Sequence, residues 1–170
     1  MSYVRQSIDS PLGPLVTVAG PDGICLLEFA EPARLDTQLN AVRRWFRSDA
    51  VAGDSPHLDQ LRGELDAYFA GALTEFTVPV VTPGTPFQQR VWSELRRIPY
   101  GETRSYVDVA RAVGAVSAPR AVGRANGSNR IAIVVPCHRV VNKSGALGGY
   151  GGQLWRKEAL LRLERPSLLR

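Results

Sequence analysis

Near the start of the chain, apolar residues alternate with polar ones or run in short blocks, and Tyr3 to Asp9, Leu15 to Ala19 and Ile24 to Phe29 read as strands. The turn-forming stretches Ser10-Pro11-Leu12-Gly13-Pro14 and Gly20-Pro21-Asp22-Gly23 separate them, which predicts an antiparallel meander. The period then lengthens. Leu35, Leu39, Val42 and Phe46 recur at helical spacing, and Leu58, Leu61, Leu65, Tyr68 and Phe69 do so again before Gly71 closes the second helix. Val80 to Thr85, carrying Pro83 and Gly84, reads as a linker. The expected organisation is an N-terminal α+β domain, residues 1–80, and a mostly helical C-terminal domain, residues 81–170.

Helix signals are sharper in the second half. Thr85-Pro86-Phe87-Gln88 combines an N-cap, proline at the first helical position and glutamine three residues after the cap. Phe87, Val91, Leu95 and Ile98 should form the buried face of that helix, which ends at Pro99-Tyr100-Gly101. Ser105 is expected to cap a short helix with Tyr106, Val109, Ala110 and Val113 inward. After Gly114, Ser117 is expected to open a second one, Ala118 to Ala125. Helix, glycine turn, helix is the helix-turn-helix pattern. In its second helix Arg120 and Arg124 share a face, and Ala121, Gly123, Ala125 and Gly127 keep the surface low enough to approach a duplex.

Charge sharpens the contrast between the halves. Residues 1–83 carry 6 basic and 11 acidic side chains, and residues 84–170 carry 15 and 5, so the second half is suited to a polyanion. Arginine accounts for 19 of the 21 basic residues, a planar fork that suits phosphate and base edges. The two cysteines, Cys25 and Cys137, form no CxxC pair, which argues against a zinc site or a disulfide framework. Free thiols imply a reducing compartment. No signal-like leader and no run long enough to cross a bilayer are present, so a cytoplasmic protein that does not engage a membrane is expected.

The chemistry concentrates in one place. Ile131 to Val135 is a continuous apolar run that reads as a buried strand, and it ends in Pro136-Cys137-His138-Arg139. A free thiol is only a few per cent ionised at neutral pH, so a nucleophilic Cys137 needs a base or a positive field, and His138 and Arg139 are the local candidates. Extended backbone would point Cys137 and His138 to opposite faces, so a bridging water is the expected link. Cys25, inside a strand pattern, reads as a small buried hydrophobe. His57, beside Pro56, reads as a loop or cap residue.

Five segments, TPFQQRVW (85–92), IPYGETRSY (98–106), AVGRAN (121–126), VVPCHRV (134–140) and LGGYGG (147–152) followed by Lys157-Glu158, resemble in order and spacing the O6-alkylguanine-DNA alkyltransferases. The resemblance covers about half of the chain and leaves residues 1–80 loosely matched. It implies irreversible, single-turnover transfer of an alkyl group from O6-alkylguanine, and from O4-alkylthymine, in duplex DNA to Cys137, without cofactor or metal and without an obligatory protein partner. It further implies His138 as base through water, Glu158 as the carboxylate that orients it, Asn129 as a brace and Tyr106 as a proton donor. Arg120 would fill the vacated base stack, with Arg124, Ala121, Gly123 and Ser105 at the DNA. Val140, Tyr150, Gly151 and Gly152 would line the base pocket. Two positions depart from the pattern: Arg130 stands where proline is common after Asn129, and Gln153 where a third glycine is frequent.

Rival readings are weaker. A cysteine protease or acyl transferase usually has a histidine remote in sequence, and His57 lacks a supporting motif. Zinc deaminases need PCxxC, and position 140 is valine. A pure DNA-binding module, either a helix-turn-helix regulator or the alkyltransferase-like branch that lacks the acceptor, does not explain Cys137.

Overall fold

Strand patterning and turn chemistry agree at the N-terminus, and the meander forms where expected: β1 (Tyr3–Ile8), β2 (Leu15–Gly20) and β3 (Gly23–Phe29). Both pairings are antiparallel, with Ile8 opposite Leu15 and Leu15 opposite Phe29. The computed structural model describes residues 2–166. It divides into two units, one running to Pro83 and including Arg130–Ala132, the other made of Gly84–Asn129 and the chain from Ile133 onward. The division thus falls three residues after the expected one, and three residues of the second half return to the first unit.

In the first unit, α1 (Pro32–Phe46) and α2 (Pro56–Phe69) follow the two helical periods. Leu35, Leu39 and Phe46 of α1 pack on a core of Val18, Cys25, Leu26 and Val42. Burial there raises the Cys25 thiol to about 11, so this cysteine is an inert hydrophobe. A fourth strand, β4 (Ala50–Ala52), lies parallel to β1 and completes the order β3-β2-β1-β4. Three residues are too few to show alternation, so the sequence pattern missed it. Arg130–Ala132 bonds to β3, with Leu27 N–H donating to Arg130 O at 2.9 Å and Ala132 N–H to Leu27 O at 2.8 Å.

The second unit opens with α3 (Pro86–Leu95). Its capping box is complete: Gln88 N–H donates to Thr85 Oγ1 at 3.1 Å, and Thr85 N–H to Gln88 Oε1 at 3.0 Å. Val91 and Leu95 are buried as expected, and so is Trp92, whose Nε1–H donates to Ala125 O at 2.8 Å and fastens α3 to a later helix. After β5 (Arg104–Ser105), Ser105 caps α4 (Tyr106–Ala112), with Asp108 N–H donating to its hydroxyl at 3.0 Å. Following Gly114, α5 (Pro119–Gly127) completes the helix-turn-helix.

Two expectations fail here for local reasons. Ser117 is not the cap of α5: Ala118 holds that place without a side-chain bond, because Pro119 sets the first helical turn. The apolar run Ile131 to Val135 is not a strand. Ile131 makes one isolated bridge, the chain then turns, and Ile133 takes a left-handed φ of 71°. All five residues are buried, and an apolar run without alternation records burial, not extension. Cys137–Arg139 forms one turn of 3-10 helix and leads into β6 (Val140–Val141), parallel to β5. The last described element is α6 (Leu154–Glu164). Among the described residues no helix is long and apolar enough to cross a membrane.

Candidate active site around Cys137

The backbone around Cys137 is fixed from several directions. Its N–H donates to Val135 O at 2.8 Å, and the same carbonyl accepts the Asn129 side-chain amide at 2.7 Å. The carbonyl of Cys137 accepts Val140 N–H and, at 3.4 Å, the Asn126 side-chain amide. Asn126 in the last turn of α5 and Asn129 just beyond its cap brace the two sides of the turn. The Cys137 residue is 6% exposed.

His138 is fully buried beside it. Its Nε2 lies 2.7 Å from Glu164 Oε2, and its Nδ1 is buried with no hydrogen-bond partner among the described residues. Arg139 holds the same carboxylate in a fork, Nε to Oε1 at 2.8 Å and Nη2 to Oε2 at 3.1 Å, while its Nη1 donates to Ile98 O at 2.7 Å. Burial alone would raise Glu164, but the hydrogen bond from His138 and the bonds and charge of Arg139 prevail and hold it well below the ordinary carboxylate range. Burial lowers His138, and Arg139 and Lys157 lower it further, against the pull of Glu164. A neutral ring with its proton on Nε2 follows, which leaves a lone pair on Nδ1.

This geometry corrects the expectation for Glu158. That side chain faces away and pairs with Arg162 one turn along α6 at 2.8 Å. Lys157, Leu160, Leu161 and Glu164 form the buried stripe of α6 at positions i, i+3, i+4 and i+7, and Glu158 lies off it. Leu160 and Leu161 mark the inward face in the sequence, and extending that face by one turn to Glu164 is the signal that separates it from Glu158.

Lys157 was not anticipated as more than a motif letter. Its ammonium is fully buried and donates to Val140 O at 2.6 Å and to Gly149 O at 3.2 Å. Burial lowers it to about 8, with negative charge on Cys137 opposing that shift. The segment Leu147 to Gly152 is thereby tied to β6, and Arg156 adds a bond to Gly152 O at 3.0 Å. Tyr106 lies against this segment. A Cβ on Gly148, whose φ is 71°, would come within 3.2 Å of the Tyr106 hydroxyl. Burial and charge on Cys137 raise the Tyr106 pKa, so its hydroxyl stays protonated. Val140 and Gly152 are buried, Tyr150 is half-buried and Gly151 exposed. Gln153 takes a φ of 77°, a conformation that glycine adopts without strain.

On α5, Arg120 and Arg124 are exposed, and Ala121 and Gly123 are partly exposed between them. Ser105 is engaged as the cap of α4. The arginines and one of the nucleophile's braces, Asn126, are therefore carried by α5, and the other, Asn129, follows two residues after its end.

Comparison with known proteins agrees with both halves of the chain. Residues 3–82 match the family described as 6-O-methylguanine DNA methyltransferase, ribonuclease-like domain, and residues 86–166 match its DNA binding domain. Methylated-DNA--protein-cysteine methyltransferases of Mycobacterium leprae and Mycobacterium tuberculosis are 46% and 51% identical, the alignments covering 96% and 94% of this chain and 93% and 91% of theirs. Among solved structures, Mycobacterium tuberculosis O6-methylguanine methyltransferase superposes with a TM-score of 0.80 at 45% identity, covering 96% of this chain and 93% of that one. The same organism's enzyme in complex with DNA gives 0.80 at 46% identity, covering 98% and 94%. The mixed α+β architecture, the helical second half and the relatives of nearly equal length converge: this chain belongs to the methylated-DNA–protein-cysteine methyltransferase family.

Proposed function

We propose that this protein repairs alkylated double-stranded DNA by moving the alkyl group from O6 of guanine onto Cys137. One observation carries the reading: a buried neutral imidazole, its Nε2 proton held by Glu164, leaves an unpartnered Nδ1 in the residue adjoining the thiol. His138 takes the thiol proton through a bridging water, and Glu164, in the role expected of Glu158, fixes the tautomer. The thiolate attacks the alkyl carbon in line. The sulfur–carbon bond forms as the carbon–O6 bond breaks, and the electron pair passes into the purine. Tyr106 donates its proton to a ring nitrogen and regains one afterwards.

O6 lies in the pairing edge of guanine, so the nucleotide must leave the stack before sulfur can reach it. Arg120 fills the gap, while Arg124, Ala121, Gly123 and Ser105 meet the DNA at and beside α5. Val140, Tyr150, Gly151 and Gly152 receive the extruded base, and Asn129 braces the turn that bears Cys137. O4-alkylthymine, with its alkyl group on the corresponding edge, is a second substrate. The thioether product is a poor leaving group, so each molecule acts once and needs no cofactor. The reaction requires a free thiol, which suits the cytoplasm.

The test is repair of a duplex bearing one O6-methylguanine. Wild-type protein should yield unmodified guanine, and Cys137→Ala should bind the same duplex and leave the lesion intact. Repair by Cys137→Ala would overturn the assignment.

A further inference from the structure

We infer that Asn126 is a positioning residue for the transfer, setting the nucleophile's backbone and the Tyr106 hydroxyl relative to one another from the inner face of α5. The inference rests on the repair reading above and adds a side chain that has no part in it.

Asn126 is 5% exposed, and its side chain lies on the buried face of α5 with Val122 and Ala125. Its Nδ2 donates to Cys137 O at 3.4 Å, a second clamp on the turn that Asn129 holds at Val135 O. Its Oδ1 is buried with no partner of good hydrogen-bond geometry among the described residues. The amide also acts on the Tyr106 hydroxyl, lowering its pKa against the effects of burial and of charge on Cys137.

A half-satisfied buried amide is a poor way to fill space, because an apolar side chain of equal volume would carry no desolvation cost. The cost is understandable if the amide orients reacting groups. A tyrosine hydroxyl rotates about its C–O bond, and proton donation must coincide with loss of the alkyl carbon from O6. The Asn126 amide N–H acts on the oxygen of that hydroxyl beside the nucleophile, which leaves the hydroxyl proton for the substrate, so the donor and the turn that carries sulfur are referenced to one side chain. The same helix bears Arg120 on its exposed face, so the element that meets DNA also aligns the chemistry.

Asn126→Leu keeps volume and removes both polar poles. Four measurements separate alignment from architecture: thermal midpoint, affinity for unmodified duplex, single-turnover transfer from saturating O6-methylguanine duplex, and alkylation of Cys137 by iodoacetamide. Iodoacetamide needs a thiolate but no proton donor, since iodide leaves unprotonated. We expect the midpoint to be unchanged or higher, duplex affinity and iodoacetamide rate within about twofold of wild type, and transfer slowed about 30-fold. Asn126→Ser, which keeps a hydroxyl in place of the amide, should recover part of the transfer rate and stands in should the leucine variant fail to fold. Transfer within about threefold of wild type would overturn the inference, as would parallel losses of transfer, iodoacetamide reactivity and stability in both variants. Absence of transfer by wild-type protein would instead sink the repair reading itself.

Discussion

Glu164 Oε2 stands 2.7 Å from His138 Nε2, and Arg139 closes on the same carboxylate from its other side. The three side chains form a buried unit in which one carboxylate serves a cation and a neutral ring. Removing its charge leaves Arg139 uncompensated, so Glu164→Gln should cost about 3 kcal/mol of stability and slow transfer sharply. Glu158→Gln breaks only an exposed pair one helical turn long and should shift stability by less than about 0.5 kcal/mol, with transfer unchanged. Denaturant titration and single-turnover assays on both variants check this. Equal effects would contradict the assignment of roles.

The same unit sets an acid limit. Folding lowers His138 below its ordinary 6.5, so as pH falls past that value the unfolded chain takes up the proton first and stability declines. Folding also holds Glu164 below its ordinary 4.5, so its contribution is present above that value and is lost as pH falls further. Both groups act in one direction. Denaturation midpoints followed downward from pH 7 should fall below about 6.5 and more steeply below about 4.5, and Glu164→Gln should flatten the second limb. A wild-type midpoint flat across both windows would refute this.

Gly148 packs its α-carbon against Tyr106 in a left-handed conformation. Gly148→Ala adds backbone strain of about 1 kcal/mol and pushes on the tyrosine ring and on Asn142. Transfer should slow while affinity for undamaged duplex stays constant, measured side by side on the same preparation. Wild-type transfer would show that this segment does not bound the base site.

Arg120 extends from the exposed side of α5. If it fills the place of the extruded base, Arg120→Ala should slow transfer from duplex by about tenfold or more and from single strands by less than about threefold, because a single strand has no stack to fill. Equal losses on the two substrates would reduce Arg120 to a phosphate contact.

Much of this was legible along the chain. The Thr85 capping box, the Ser105 cap and the three-stranded meander are local features, and local chemistry specified them. What escaped was set by distant partners. Glu164 and His138 are 26 residues apart, and nothing in the spacing of His138 and Glu158 excludes a pairing until the inward stripe of α6 is drawn. The run Ile131 to Val135 has strand composition, yet burial on every side removes the alternation that would distinguish a strand from a turn. Lys157 carries a charge where sequence patterns expect an apolar residue, and only the carbonyls of Val140 and Gly149 explain its place.

The most direct test of the central claim is the intact mass of the protein after incubation with a slight molar excess of O6-methylguanine duplex, followed by peptide mapping. Cys137 should gain one methyl group, stoichiometrically and once, with Cys25 unmodified. An unchanged Cys137, or methyl transfer to any other residue, would contradict it.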